Sequence, residues 1–246
     1  MHTPDSSRYY KRTVLKETIS SVHLGEDRPL RIYLPPGYNE VLSYPVLYCQ
    51  DGEQFFNFGR LATLLTAGIL DGGLEPAIAI GVDVRTAVRT SEYAPEGERN
   101  AAYIRFFAEE MVPYIESRYP VRRTPQERIA AGDSLGGTVS LHLALAYPHL
   151  FSNVLSLSGA FFAETQRQLE AAGDLSWLRI HMLIGLDETE VTTERGTFDF
   201  VAANRRTKEL LESGGARLTY EEKPGKHLWG FWQQELPAIL RLFLSD

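Results

Sequence analysis

The sequence predicts an α/β fold, with an eight-stranded, mostly parallel sheet that opens in an antiparallel hairpin and carries helices on both faces. Three observations predict it. Short β-rich runs alternate with longer helical patterns almost throughout the chain. Only the first two strands are joined by a connection too short for a parallel crossover, which needs about a dozen residues or more. No repeat, low-complexity tract or linker interrupts the alternation, so residues 1–246 are expected to form one domain.

Residues 14–22 and 30–34 are the first two strands, with Gly25-Glu26-Asp27-Arg28-Pro29 as the turn between them. Pro35-Pro36-Gly37-Tyr38 ends the second. Residues 46–49 form a short apolar third strand and residues 77–82 the fourth, with a helical stretch near 61–70 between them. A helix over about 101–119 stops at Pro120. Residues 128–131 are the fifth strand, and a helix over 138–147 is stopped by Pro148. Residues 154–157, 180–184 and 218–221 are strands six to eight, and a helix over 228–244 closes the pattern. Residues 164–177 and 189–204 read either as surface helix and loop or as a small lid.

With 43% apolar and 23% charged residues, a chain of this length can bury a core that needs neither disulfides nor metals. Asp and Glu outnumber Lys and Arg by 32 to 25, and the net charge of -7 argues against nucleic acid or an anionic membrane as partner. The single cysteine, Cys49, has no intrachain partner, so nothing points to an oxidising compartment. Met1-His2-Thr3-Pro4-Asp5-Ser6-Ser7 lacks the apolar centre of a signal peptide, and no apolar run approaches the roughly 20 residues that span a bilayer. A cytoplasmic protein is expected. The sequence holds no Gly-rich phosphate loop, His/Cys metal cluster or dinucleotide fingerprint, so neither cofactor nor metal is expected. It does not specify an oligomeric state, and a homodimer is compatible with it.

Between the fifth strand and its helix lies Gly132-Asp133-Ser134-Leu135-Gly136-Gly137, a G-x-S-x-G pattern in a strand–turn–helix context. A turn this tight strains the serine backbone and leaves no room for side chains two positions to either side. It lifts the hydroxyl above the sheet edge, over a helix start whose free N–H groups and positive dipole end favour developing negative charge. Ser134 is the candidate nucleophile and the Leu135 N–H a candidate oxyanion donor. An accidental G-x-S-x-G in a surface turn is the bland alternative, which the strand–turn–helix context disfavours.

A nucleophilic serine needs a base. Of six histidines, His2 and His23 precede the sheet core, His142 lies inside the elbow helix, His149 follows Pro148 and His181 lies in strand seven. Each of these reads as a surface or packing residue. His227, in Lys223-Pro224-Gly225-Lys226-His227 after the last strand, stands where the chain order serine, acid, histidine puts the base. The acid should follow strand seven, where Ile184-Gly185-Leu186-Asp187-Glu188-Thr189-Glu190 offers three carboxylates. Glu188 is preferred to Asp187, and Glu190 comes third. Phe161 and Phe162 after strand six are candidates for one pocket wall and Trp229 and Trp232 after His227 for another, although aromatics in the last helix are more often core than pocket. Phe55, Phe56 and Phe58 are read as either core or pocket, and Cys49 as packing.

Several further segments carry a resemblance: Arg31-Ile32-Tyr33-Leu34-Pro35-Pro36-Gly37-Tyr38, Tyr44-Pro45-Val46-Leu47-Tyr48-Cys49-Gln50-Asp51-Gly52, Ser156-Leu157-Ser158-Gly159, and the Gly-x-His-x-x-x-x-Trp of Gly225, His227 and Trp232. With the elbow, their order and spacing resemble the esterase family of the α/β-hydrolase fold that contains enterochelin (siderophore) esterases, S-formylglutathione hydrolase, feruloyl esterase domains and mycolyltransferases. The resemblance implies a serine esterase acting on a small-molecule ester. It implies a second oxyanion donor at the backbone N–H of Glu53, after Asp51-Gly52. It places the acid three residues after Gly185, at Glu188, although Asp is commoner there, which keeps Asp187 open. Arg89-Thr90-Ser91-Glu92-Tyr93 resembles the Arg-x-x-Glu-Tyr segment of the siderophore-esterase branch, implying substrate contacts by Arg89, Glu92 and Tyr93. The alternative is an ordinary polar loop with one ion pair. Nothing here resembles the separate N-terminal domain of the larger enterochelin esterases, so small acyl or aryl esters stand beside siderophore esters as candidate substrates. An acyltransferase and a catalytically inactive binding protein are the competing readings.

Overall fold

β1 (Thr13–Ser21) and β2 (Glu26–Leu34) pair antiparallel from Thr13↔Leu34 to Ser21↔Glu26 and form one edge of the sheet in the computed structural model, which describes residues 12–245. His2 and the segment read for a signal peptide lie outside the described residues. The hairpin turn falls at residues 22–25, not at Gly25–Pro29. Gly25 takes the left-handed position at φ 68°, and Glu26 to Pro29 already belong to the ladder, with Pro29 opposite Thr18. The Val22 and His23 N–H groups donate to Glu110 at 2.9 and 3.2 Å, which gives this turn its fixed conformation.

β3 (Val46–Cys49), β4 (Ile78–Val82), β5 (Arg128–Asp133), β6 (Asn153–Leu157), β7 (Arg179–Gly185) and β10 (Arg217–Lys223) complete an eight-stranded sheet in the order β1-β2-β4-β3-β5-β6-β7-β10. β2 runs antiparallel to β4, and every pair from β4 to β10 is parallel. The chain passes from β3 outward to β4 and returns to place β5 on the other side of β3. Connections leaving the ends of β3 and β5 therefore diverge, which opens a crevice above the carboxyl ends of these strands. A two-stranded hairpin, β8 (Val191–Thr193) with β9 (Gly196–Phe198), stands apart from the sheet. Within the 189–204 region it occupies residues 191–198, and a helix begins at Phe200.

The strands from β3 to β7 bury both faces, and their side chains divide by alternation. Val46, Tyr48, Ala130, Val154, Ile180 and Met182 point into one core. Leu47, Cys49, Ile129, Ala131, Leu155 and Leu183 point into the other. On the second face lie α1 (Gly52–Asn57), α2 (Leu61–Asp71) and α9 (Trp229–Leu244), through Phe55, Leu65, Phe231 and Leu236. On the first lie α4 (Asn100–Arg105), a π-helical turn (Phe106–Met111) and α5 (Val112–Arg118), which together make the helix expected over 101–119. α6 (Leu135–Ala146), α7 (Ala163–Ala172) and α8 (Phe200–Ser213) share that face.

α1 and α3 (Thr86–Tyr93) are six and eight residues long, too short for helical periodicity to stand out. α8 is long, but Asn204 and Thr207 interrupt its buried stripe of Phe200, Val201 and Leu211, which masks the pattern. Asn204 is buried because its amide donates to the carbonyls of Gly159 and Phe200 at 2.8 and 2.9 Å. No helix among the described residues is long and apolar enough to cross a membrane.

Candidate active site

Ser134 links β5 to α6 at φ 53° and ψ −122°, a conformation that L-residues adopt only under constraint. The constraint is visible. The Ser134 N–H donates to the Leu157 carbonyl at 2.9 Å, and its own carbonyl accepts from the N–H groups of Ala160 and Thr138 at 3.1 and 3.2 Å. A Cβ at Gly132 would lie 2.1 Å from the Gly136 carbonyl carbon, and one at Gly136 would lie 3.1 Å from Asp51 Oδ2. Glycine is obligatory at the first position, and the second is closely packed against the β3 loop.

Ser134 and His227 both line a cavity of about 460 Å³ above the β3/β5 crevice. His227 leaves the loop after β10, and its Nδ1 lies 2.6 Å from Glu188 Oε2. The imidazole is packed between Phe200, with centroids 4.5 Å apart, and Trp232, at 5.0 Å and nearly perpendicular. Glu188 is fully buried at the end of β7. Its Oε1 accepts from the Gly185 N–H at 3.0 Å and from the Ser158 hydroxyl at 2.6 Å. The side chains of Asp187 and Glu190 are exposed to solvent, and the Asp187 N–H is tied to the Gly225 carbonyl at 3.0 Å. The structure thus brings Glu188 to His227 and leaves the other two carboxylates outside.

Leu135 begins α6 and Glu53 is the second residue of α1, so neither N–H has a carbonyl partner within its own helix. The Glu53 side chain turns away to Arg31, at 3.5 Å, and Gln54 presents its side chain to the cavity. The loop that carries Glu53 is held from below. Asp51, in the left-handed region at φ 49°, receives a bidentate pair from Arg89 Nε and Nη2 at 2.7 Å each, and its N–H donates to the Tyr93 hydroxyl at 3.1 Å. A Cβ on Gly52 would meet Gly81 backbone at 2.4 Å, so α1 starts in van der Waals contact with β4.

The substrate-contact expectation needs correction at three positions. Residues 89, 92 and 93 share one face of α3, and that face turns toward the core. Arg89 alone reaches the cavity. Glu92 is fully buried and bound by Arg28 at 2.7 and 2.9 Å and by Arg99 at 3.1 Å, and Tyr93 is fully buried under Asp51. Phe161 is also fully buried, packed against Gly159, and the neighbouring Phe162 takes its place on the cavity wall. Trp229 and Trp232 do line the cavity, with the Trp229 Nε1–H donating to Gln54 Oε1 at 3.0 Å. Phe55 is core, and Phe58 is exposed.

Residues not singled out from sequence complete the wall. Thr193, Glu194, Arg195 and Phe198 come from the β8–β9 hairpin, and Phe200 from the start of α8. Phe198 stacks on Phe162 with centroids 4.5 Å apart, Arg195 pairs with Glu96, and the Thr90 hydroxyl donates to Glu194 at 3.4 Å. The β-branched run Val191-Thr192-Thr193 followed by Gly196 is the local signal for this hairpin. Asp133, next to the serine, is buried with Oδ1 unpartnered. Burial, reinforced by the charge of Asp51 and opposed by Arg89, pushes its carboxyl up to about 7. None of the remaining described histidines lines the cavity. His142 shares a 2.9 Å hydrogen bond with Thr165, His181 is buried in β7, His23 pairs with Glu109 at 2.8 Å, and His149 is exposed. Burial pulls both His142 and His181 down to about 4.

A serine raised on a strained elbow over the switch point of a sheet with one antiparallel edge makes the chain an α/β hydrolase. Residues 21–243 match the family described as "Putative esterase". The chain belongs to this family, and with it to the carboxylic ester hydrolases. It is 34% identical to the uncharacterized protein YjcH of Bacillus subtilis over 94% of this chain and 98% of that protein. It is 27% identical to the iron(III) enterobactin esterase of Dickeya dadantii over 65% of this chain, spanning 35% of that longer protein. Its fold matches a ferulic acid esterase with a TM-score of 0.80 at 19% identity, covering 96% of this chain and 98% of that one. It also matches the enterobactin esterase of Shigella flexneri with a TM-score of 0.80 at 21% identity, covering 94% and 59%.

Proposed function

We propose that this chain is a serine esterase that cleaves small-molecule carboxylic esters through an acyl-enzyme. The observation that carries the reading is the 2.6 Å contact between His227 Nδ1 and the buried Glu188 carboxylate, beside a cavity shared with Ser134. With Nδ1–H held by Glu188, Nε2 is left as the free base. Ser134 Oγ attacks the ester carbonyl as His227 takes its proton, and Glu188 stabilises the imidazolium. The N–H groups of Leu135 and Glu53 receive the oxyanion. His227 returns the proton to the leaving alcohol, and water repeats the sequence on the acyl-enzyme.

The cavity walls of Phe162, Phe198, Phe200, Trp229 and Trp232 suit an aryl or acyl group better than a highly charged one. Arg89 and Arg195, the two arginines on the wall, are already paired with Asp51 and Glu96. The test is labelling with an activated fluorophosphonate, followed by turnover of p-nitrophenyl esters of graded chain length and aryl size, with a ferric catecholate trilactone in the same panel. Labelling of wild type and none of Ser134→Ala is expected, and an unlabelled wild type would remove the enzyme reading. Ester products formed with added alcohol would mark an acyltransferase.

A further inference from the structure

Glu188 is held by more than its histidine, and one of its other partners sits in a costly backbone position. Ser158 follows β6 at φ 48°, in the left-handed region, and is fully buried. Its N–H donates to the Leu183 carbonyl at 2.7 Å, so the strained backbone is pinned between β6 and β7. We propose that Ser158, itself oriented by Trp232, is a positioning residue that locks the Glu188 carboxylate against His227. This rests on Glu188 being the acid of the proposed mechanism.

The direction of each hydrogen bond follows from donor chemistry. Trp232 Nε1–H lies 2.8 Å from Ser158 Oγ, and an indole nitrogen only donates. Ser158 Oγ is therefore the acceptor there, and its single proton goes to Glu188 Oε1 at 2.6 Å. The Gly185 N–H donates to the same oxygen at 3.0 Å. With two donors on Oε1, the carboxylate plane is fixed and Oε2 faces His227 Nδ1 at 2.6 Å. A Cβ at Gly185 would stand 2.6 Å from Oε1, so the strand end is shaped for a glutamate that folds back on it. Trp232 also meets the His227 ring edge to face, with centroids 5.0 Å apart. The strain at Ser158 supports the same role. Glycine would relieve it at once, but without the hydroxyl that the carboxylate receives.

That contrast supplies the test. Ser158→Gly keeps the backbone conformation and deletes the hydroxyl, and Trp232→Phe keeps an aromatic ring and deletes the N–H. Kinetics on p-nitrophenyl acetate, with active sites counted by fluorophosphonate titration, should show kcat for Ser158→Gly down by about 10–100-fold, the scale of one hydrogen bond to a charged group, and KM within about twofold. Trp232→Phe should lose less. The double variant should lose about as much as Ser158→Gly alone, because the indole N–H acts through the hydroxyl. A Ser158→Gly enzyme with wild-type kcat overturns the proposal. Multiplicative losses in the double variant overturn the part given to Trp232. A wild type with no Ser134-dependent turnover removes the esterase reading and this inference together. Normal wild-type turnover with an unaffected Ser158→Gly removes the inference alone.

Discussion

At the residue scale, the site depends on which carboxylate is buried and which is not. Glu188 is enclosed with three hydrogen-bond donors, and Asp187, its neighbour, is in solvent. Glu188→Gln is expected to lower kcat by roughly 10³–10⁴, because an amide in that place no longer enforces the Nδ1–H tautomer or balances imidazolium. Asp187→Asn should stay within about twofold, since the Asp187 carboxylate is exposed to solvent and its charge is screened. Steady-state kinetics of the two variants checks the ranking, and the reverse order would reassign the acid. Asp133 makes a different prediction. Its carboxyl is raised to about 7, first by burial and then by the charge of Asp51, so the folded protein holds a proton that the unfolded chain releases near pH ~4. Stability from this group is complete below the unfolded value and is lost as pH rises through about 7. Asp133→Asn should therefore melt above wild type at pH ~8 and close to it near pH ~4, as circular dichroism can measure.

At the scale of elements, α3 and the β8–β9 hairpin have separate tasks. α3 fastens the β3 loop by Arg89 to Asp51 and is itself anchored by the buried Arg28–Glu92 pair. Arg28→Ala leaves Glu92 buried with the partly exposed Arg99 as its remaining ion-pair partner among the described residues. A loss of about 3–5 kcal/mol is expected in urea unfolding. A change below about 1 kcal/mol would show that the pair is not what holds α3. The hairpin contributes Thr193, Glu194, Arg195 and Phe198 to the cavity wall. Phe198→Ala removes the ring stacked on Phe162 and should raise KM for aryl or long-acyl esters by about tenfold, with p-nitrophenyl acetate changed by less than twofold. Equal effects on all esters would place the hairpin outside the acyl or aryl subsite. Neither role is visible in local patterning. α3 shows only as a short polar stretch, and the hairpin's register against Phe162 depends on a segment some 30 residues upstream.

For the whole molecule, the buried titrating groups set how stability follows pH. His142 and His181 are both pulled down to about 4 by burial, so the unfolded chain binds protons below its ~6.5 that the folded protein refuses. Their contribution is lost as pH falls from about 6.5 towards 4, and two histidines outweigh the single opposing Asp133 in that range. Melting temperature is expected to rise with pH up to about 6.5 and to fall again through about 7 as Asp133 ionises. A thermal-shift series across pH 4–9 checks it, and His181→Gln, at a position with both ring nitrogens unpartnered, should flatten the acid side. By itself the sequence determined the α/β alternation, the antiparallel first pair, the elbow around Ser134 and the loop position of His227. Each of these is written in contiguous residues, where period, turn chemistry and motif act over a few positions. Tertiary structure alone decided that Glu188 and not Asp187 meets His227, that Glu92, Tyr93 and Phe161 face the core, and that the Ser158 hydroxyl and the Trp232 N–H line up behind the Glu188 carboxylate. The contacts around Glu188 and Ser158 join residues 39, 30 and 74 positions apart, and all of these outcomes depend on which face an element turns inward once the sheet and its two layers of helices have packed.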